Sequence, residues 1–179
     1  MATASQPLFT PEFAATFRDV LVFSLRQEMK TTAQVIAAIP EARRDYRPDP
    51  KARTAFELGW HLASADVWFL EGIASMSFEK MYENETNQDA LRPGSIGEIV
   101  AWYNSDMAAA LKKIGAMSPA QLNTVINFFG VFNLPAFQYI QFALNHSIHH
   151  RGQLSSYLRP MGSKVPNIYG GSADTPMQP

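Results

Sequence analysis

The 179-residue chain contains no cysteine. That excludes disulfides, thiolate metal sites and a cysteine nucleophile, so any thiol chemistry must use a small-molecule thiol from solution. An excess of one charge is missing too. Fifteen Lys and Arg stand against sixteen Asp and Glu, for a net charge of −1, and no long run of one sign occurs. A nucleic-acid footprint would gather basic residues on one face, so nucleic acid is not an expected partner. No apolar run reaches the roughly 18 residues of a membrane span. The first residues, Met1 to Pro7, lack the basic and apolar regions of a signal peptide. The expectation is a soluble, cytoplasmic protein with no membrane partner.

What is present is enough apolar material, 46% of residues, for a core that needs no cross-link. A chain of this length fits one domain and buries about 70% of its unfolded surface. Thr10 and Pro11 mark a helix start, with Thr10 as N-cap and Pro11 where its missing N–H costs nothing. Apolar residues from Phe13 to Ile39 then recur at helical spacing, and the helix should stop near Pro40. Within it Ser24, Glu28, Thr31 and Thr32 interrupt the stripe, either as solvated flank or as the lining of a pocket.

Residues 40–53 read as a connector. Thr54 and Glu57 match a capping box opening a second helix, which should run to about Phe78. That helix is apolar on two sides, so it is either sandwiched within the domain or packed against another subunit, a hint of a homodimer. Residues 80–94 read as a loop. Ser95 and Glu98 form another capping box, and Ile96 to Ile114 give a third amphipathic helix. Ser118 to Gln121 start a short helical turn, and residues 127–133 form an aromatic connector bent at Gly130. Pro135 opens a fourth long helix ending near Gly162. With no convincing alternating strand pattern, the expected fold is all-α: a four-helix bundle with its core over about residues 10–162 and an extended C-terminal arm over 163–179.

Only four histidines occur, and three of them, His146, His149 and His150, lie within five residues of the fourth helix. His146 and His150 are one turn apart on one face, a spacing that lets two imidazoles reach one ion; His146 and His149 could also share one. On a wheel of 100° per residue, His150 lies about 50° from the inward side, His146 about 90° and His149 about 150°. His149 therefore points most nearly outward, and the expected ligands are His146 and His150. His61 sits similarly beside the apolar stripe of the second helix. Three neutral imidazoles leave coordination positions open, the arrangement of catalytic rather than structural metal sites. The bland alternative is that these histidines bind no metal and satisfy one another in the core.

Other residues around this cluster are weaker candidates. Glu57, one turn before His61, could move a proton or orient a ligand, although its capping-box position explains it without function. Trp68 lies on the edge of the second helix that carries His61 and could wall a pocket. Glu28 and Arg151 are candidates for substrate binding, and Arg159 could also meet an anion, although cations are expected near a helix C-terminus.

The stretch from His146 through Arg151-Gly152-Gln153-Leu154, followed by Tyr157 to Gly162 and Val165 to Gly170, resembles the DinB/YfiT-like family of bacterial metalloenzymes. The likeness extends through Glu57 to Leu62 on the second helix and covers nearly the whole chain. It implies a four-helix bundle and a divalent metal, often nickel or zinc, held by three histidines, here His61, His146 and His150. Relatives of known activity use low-molecular-weight thiols, as thiol-dependent S-transferases or a mycothiol-dependent isomerase, and homodimers are common. The expected function is therefore a metal-dependent, thiol-dependent S-transferase or a hydrolase, in which an open metal position lowers the pKa of a water or thiol. The rival is a non-catalytic metal-binding or stress-related bundle acting through its dimer surface.

Overall fold

Four long helices carry the architecture: α1 (Pro11–Ala37), α2 (Ala55–Ala74), α3 (Ile96–Gly115) and, after a short α4 (Pro119–Asn123) and a hairpin, α5 (Ala136–Leu158). The computed structural model describes residues 9–79 and 91–177, so most of the loop expected over 80–94 lies outside the described residues. α1 and α2 each pack against both α3 and α5, which closes a four-helix bundle. No helix among the described residues is long and apolar enough to cross a membrane.

The helix starts follow local chemistry. Thr10 Oγ1 accepts from Phe13 N at the head of α1. Full capping boxes open α2 (Thr54 with Glu57), α3 (Ser95 with Glu98) and α4 (Ser118 with Gln121). Both apolar sides of α2 are buried within the chain, so for this helix the sandwiched alternative holds.

α2 ends at Ala74, earlier than the sequence suggested. Met76 takes a left-handed conformation, φ 60°, and Ser77 N donates to Gly72 O at 3.0 Å. This is a Schellman-type stop. It turns the chain so that Phe78, fully buried, folds back onto Gly72. α5 finishes with a similar turn at Gly162, φ 80°, where Ser163 N donates to Leu158 O.

The sequence reading gave no strands, but the aromatic connector is an antiparallel hairpin, β1 (Val125–Phe128) with β2 (Phe132–Pro135). Phe129 and Gly130 both have positive φ and turn it. Asn127 pairs with Asn133 across the strands, Nδ2 to Oδ1 at 2.9 Å. The Tyr139 hydroxyl of α5 donates to the carbonyls of Ile126 and Phe132, which seats the hairpin on the bundle. Residues 163–177 carry no helix or strand. They are tied down by Asp174, which accepts from Val165 N and Arg159 Nε, and by Tyr169, whose hydroxyl meets Arg151 and Glu28.

Candidate metal centre

α2 and α5 are held in register beneath their histidines by a buried polar cluster. Asp66 of α2 is fully buried, and its Oδ2 accepts from Ser147 Oγ of α5 at 2.7 Å and Tyr103 OH of α3 at 2.8 Å. Burial pushes its carboxyl up to about 7, against the opposing hydrogen bonds and the charge of Arg151. A carboxyl with no ion partner in contact is cheaper to bury protonated. Asp66 was missed in the sequence, although an acid in the middle of a helix that is apolar on two sides is a visible signal.

Above this tie the ring nitrogens of His61, His146 and His150 lie within 4.8 Å of one another. His61 Nε2 and His150 Nε2 are 3.3 Å apart, and the ring centroids of His61 and His146 are 5.4 Å apart. His149 is exposed, the outward position the helical wheel gave it. Burial lowers the pKa of all three clustered histidines, His61 to about 3 and His146 to about 4. The Arg53 charge and the neighbouring imidazoles act in the same direction. The rings are therefore neutral near pH 7, with lone pairs to offer.

Three features fit this set to a divalent ion. The donors are all imidazoles, which suit zinc, nickel, copper and iron. Two nitrogens bound tetrahedrally at about 2.0–2.1 Å stand about 3.3–3.4 Å apart, and the His61–His150 separation matches that edge. His150 Nδ1 lies 3.0 Å from Gln153 Oε1, one turn on, and donating to it leaves the Nε2 lone pair directed at His61. Mutual hydrogen bonding explains the cluster less well. It accounts for the His61–His150 pair, while the buried His146 Nδ1 has no partner among the described residues. Phe69 packs tilted against the His146 ring, with centroids 5.1 Å apart, and shields it on the hairpin side.

The remaining candidates divide. Glu57 lines a cavity of about 420 Å³ that has His61 in its wall. Its Oε2 accepts from Thr54 N at 2.7 Å, and this bond holds its carboxyl below the usual range, so it is a weak proton acceptor. Trp68 is not part of that wall; it is buried among Phe69, Phe78, Phe128 and Phe129, and the cavity has Trp60 instead. Arg151 is buried in an ion pair with Glu28, and its Nη2 donates to Tyr169 OH at 2.6 Å. Both substrate-binding candidates are thus engaged with each other. Arg159 is paired with Asp174. The cavity's own cations, Arg47, Lys51, Arg53 and Arg92, were not singled out in the sequence, because a connector between helices carries no periodicity that would aim them.

The sequence matches the DinB family over residues 13–178. Two crystal structures have the same fold. A DinB-like protein of Bacillus subtilis superposes with a TM-score of 0.69 at 22% identity, covering 83% of this chain and 96% of that one. A DinB-like protein of Bacillus cereus gives a TM-score of 0.69 at 25% identity, covering 83% and 95%. No curated protein matches the chain.

Proposed function

This chain belongs to the DinB family, and we propose that it is a metal-dependent enzyme in which His61, His146 and His150 hold one divalent ion, nickel or zinc. The observation that carries this reading is the convergence of three neutral imidazoles from two helices at the edge of an open cavity. When bound, the ion supplies Lewis acidity that lowers the pKa of a water or thiol at its open side. Gln153 fixes the His150 ring, and the Asp66–Ser147 bond keeps α2 and α5 at the spacing the cluster needs. The reaction class we favour is transfer to a low-molecular-weight thiol, with hydrolysis as the variant that uses water. An external thiol is consistent with a chain that has no cysteine of its own.

Elemental analysis of protein purified without a histidine tag tests the metal, and a panel of thiols titrated into the loaded protein tests the reaction class. His146→Ala should remove the metal, while His149→Ala should leave it in place. Metal retained by His146→Ala would sink the site. No thiol bound by the loaded protein would remove the transferase reading and keep the site.

A second reading, a metal-holding bundle that acts through a homodimer surface, is favoured by one observation. Phe13, Val20 and Phe23 lie on α1 with 45%, 56% and 65% of their surface exposed. Sedimentation of wild type against Phe23→Glu tests it. A monomer in both samples removes this reading.

A further inference from the structure

We propose that the cavity beside the histidine cluster binds a small anionic substrate, one carrying a carboxylate or phosphate group whose other end reaches the ion; this rests on the metal reading above. The charge balance is the first ground. The chain as a whole is nearly neutral, yet Arg47, Lys51, Arg53 and Arg92 converge on one cavity whose sole acidic lining residue among the described residues is Glu57. Glu57 already gives its Oε2 to Thr54 N.

The second ground is that three of these four cations are left unpaired by the described residues. Among the described residues, Arg47, Lys51 and Arg53 make no salt bridge. Asp49, two positions from both Arg47 and Lys51, accepts from the backbone N–H of Lys51. Arg92 lies over the Phe56 ring, 5.4 Å from its centroid. Like charges gathered at one wall repel, and an anion is what relieves them.

The start of α2 does not supply the site. Its first N–H groups are taken: Ala55 N donates to Tyr46 O, Phe56 N to Arg44 O, and Glu57 N to Thr54 Oγ1. Recognition therefore falls to side chains, and guanidinium groups bind carboxylate and phosphate in a two-pronged fashion.

The third ground is continuity with the cluster. His61 belongs both to the cavity wall and to the three-histidine group, one turn from Glu57 and one turn from Ser64, which also lines the wall. Three neutral imidazoles leave a divalent ion's charge uncompensated, so ion and cations attract the same ligand from two sides. About 420 Å³ is within the range of small-molecule pockets.

The test titrates inorganic phosphate and, separately, succinate into the metal-loaded full chain, with metal content measured on the same samples. At least one probe should bind, more weakly as salt is added, and Arg53→Ala should weaken it by about tenfold with metal content unchanged. Arg53→Lys should recover part of the loss, since it keeps charge but loses the fork. Binding of phosphate alone assigns a phosphate ester, and binding of succinate alone assigns a carboxylic acid. No binding of either probe, or equal affinity in wild type and an Arg47→Ala/Arg53→Ala double variant, overturns the proposal. Arg53-dependent binding by a protein that holds no metal would remove the metal reading instead, leaving the anion site.

Discussion

His61 Nε2 on α2 and His150 Nε2 on α5 stand 3.3 Å apart, and His150 is oriented by Gln153 on its far side. Gln153 thus sets the His150 side of the pair from outside it. Gln153→Ala should leave the fold intact and lower metal affinity by about 10–100-fold, the usual effect of losing a ligand's orienting partner. Competition with a chelator of known affinity measures it. An unchanged affinity would show that Gln153 does not orient the ring.

Asp66 predicts a pH signature. Its folded pKa, about 7, lies above the ordinary 3.8, so its contribution to stability is present at low pH and lost as pH rises toward and through 7. His61 and His146 act with the opposite sign, because their lowered pKa values make the metal-free fold lose stability as pH falls below 6.5. The wild-type profile mixes the two. The difference between wild type and Asp66→Asn, followed by urea unfolding of metal-free protein, isolates the first. Relative to the variant, wild type should become less stable from about pH 4 to pH 8. A flat difference would mean that Asp66 is not held protonated.

Gly72 predicts a packing cost. A Cβ there would stand 2.5 Å from Phe78 Cδ1, and Phe78 is fully buried. Gly72→Ala should destabilise by about 1–3 kcal/mol, with the ring forced out of its seat. A Gly72→Ala/Phe78→Leu double variant should recover part of this in thermal unfolding. If Gly72→Ala alone is neutral or stabilising, the Phe78 ring has room to move and the argument fails.

Arg151 predicts a stability effect rather than a binding one. Arg151→Met leaves the half-buried Glu28 with the Tyr169 hydroxyl but without its cation, and should cost about 1–3 kcal/mol. Adding Glu28→Leu should restore much of that, as a buried pair replaced whole by apolar groups often does. Limited proteolysis should cut the C-terminal arm faster in Arg151→Met, because Tyr169 loses its donor. Equal cutting rates would show that the arm is held elsewhere.

What was legible in the sequence was local or periodic. Thr10 with Pro11, and the Thr54–Glu57, Ser95–Glu98 and Ser118–Gln121 pairs, fix helix starts within a turn of themselves. The helical wheel separated His149 from His146 and His150 because burial on a helix follows its period. The hairpin was not legible, since strands of four residues need the Tyr139 hydroxyl from α5 to hold them. Nor was the end of α2, which depends on where Phe78 packs. Arg53 stayed hidden for a related reason: the fold of a connector, and not a repeat, brings it to the histidines.

His61 and His150 are 89 positions apart in the chain. An ion held between them would fasten the second long helix to the last, across a loop whose closure is entropically costly in an unfolded chain. Partly made protein, with α2 synthesised and α5 still to come, would present only His61 of the three clustered imidazoles. Metal capture would then follow completion of the bundle and, by mass action, stabilise only that completed form. Retained metal would serve as a marker of chains that have finished folding.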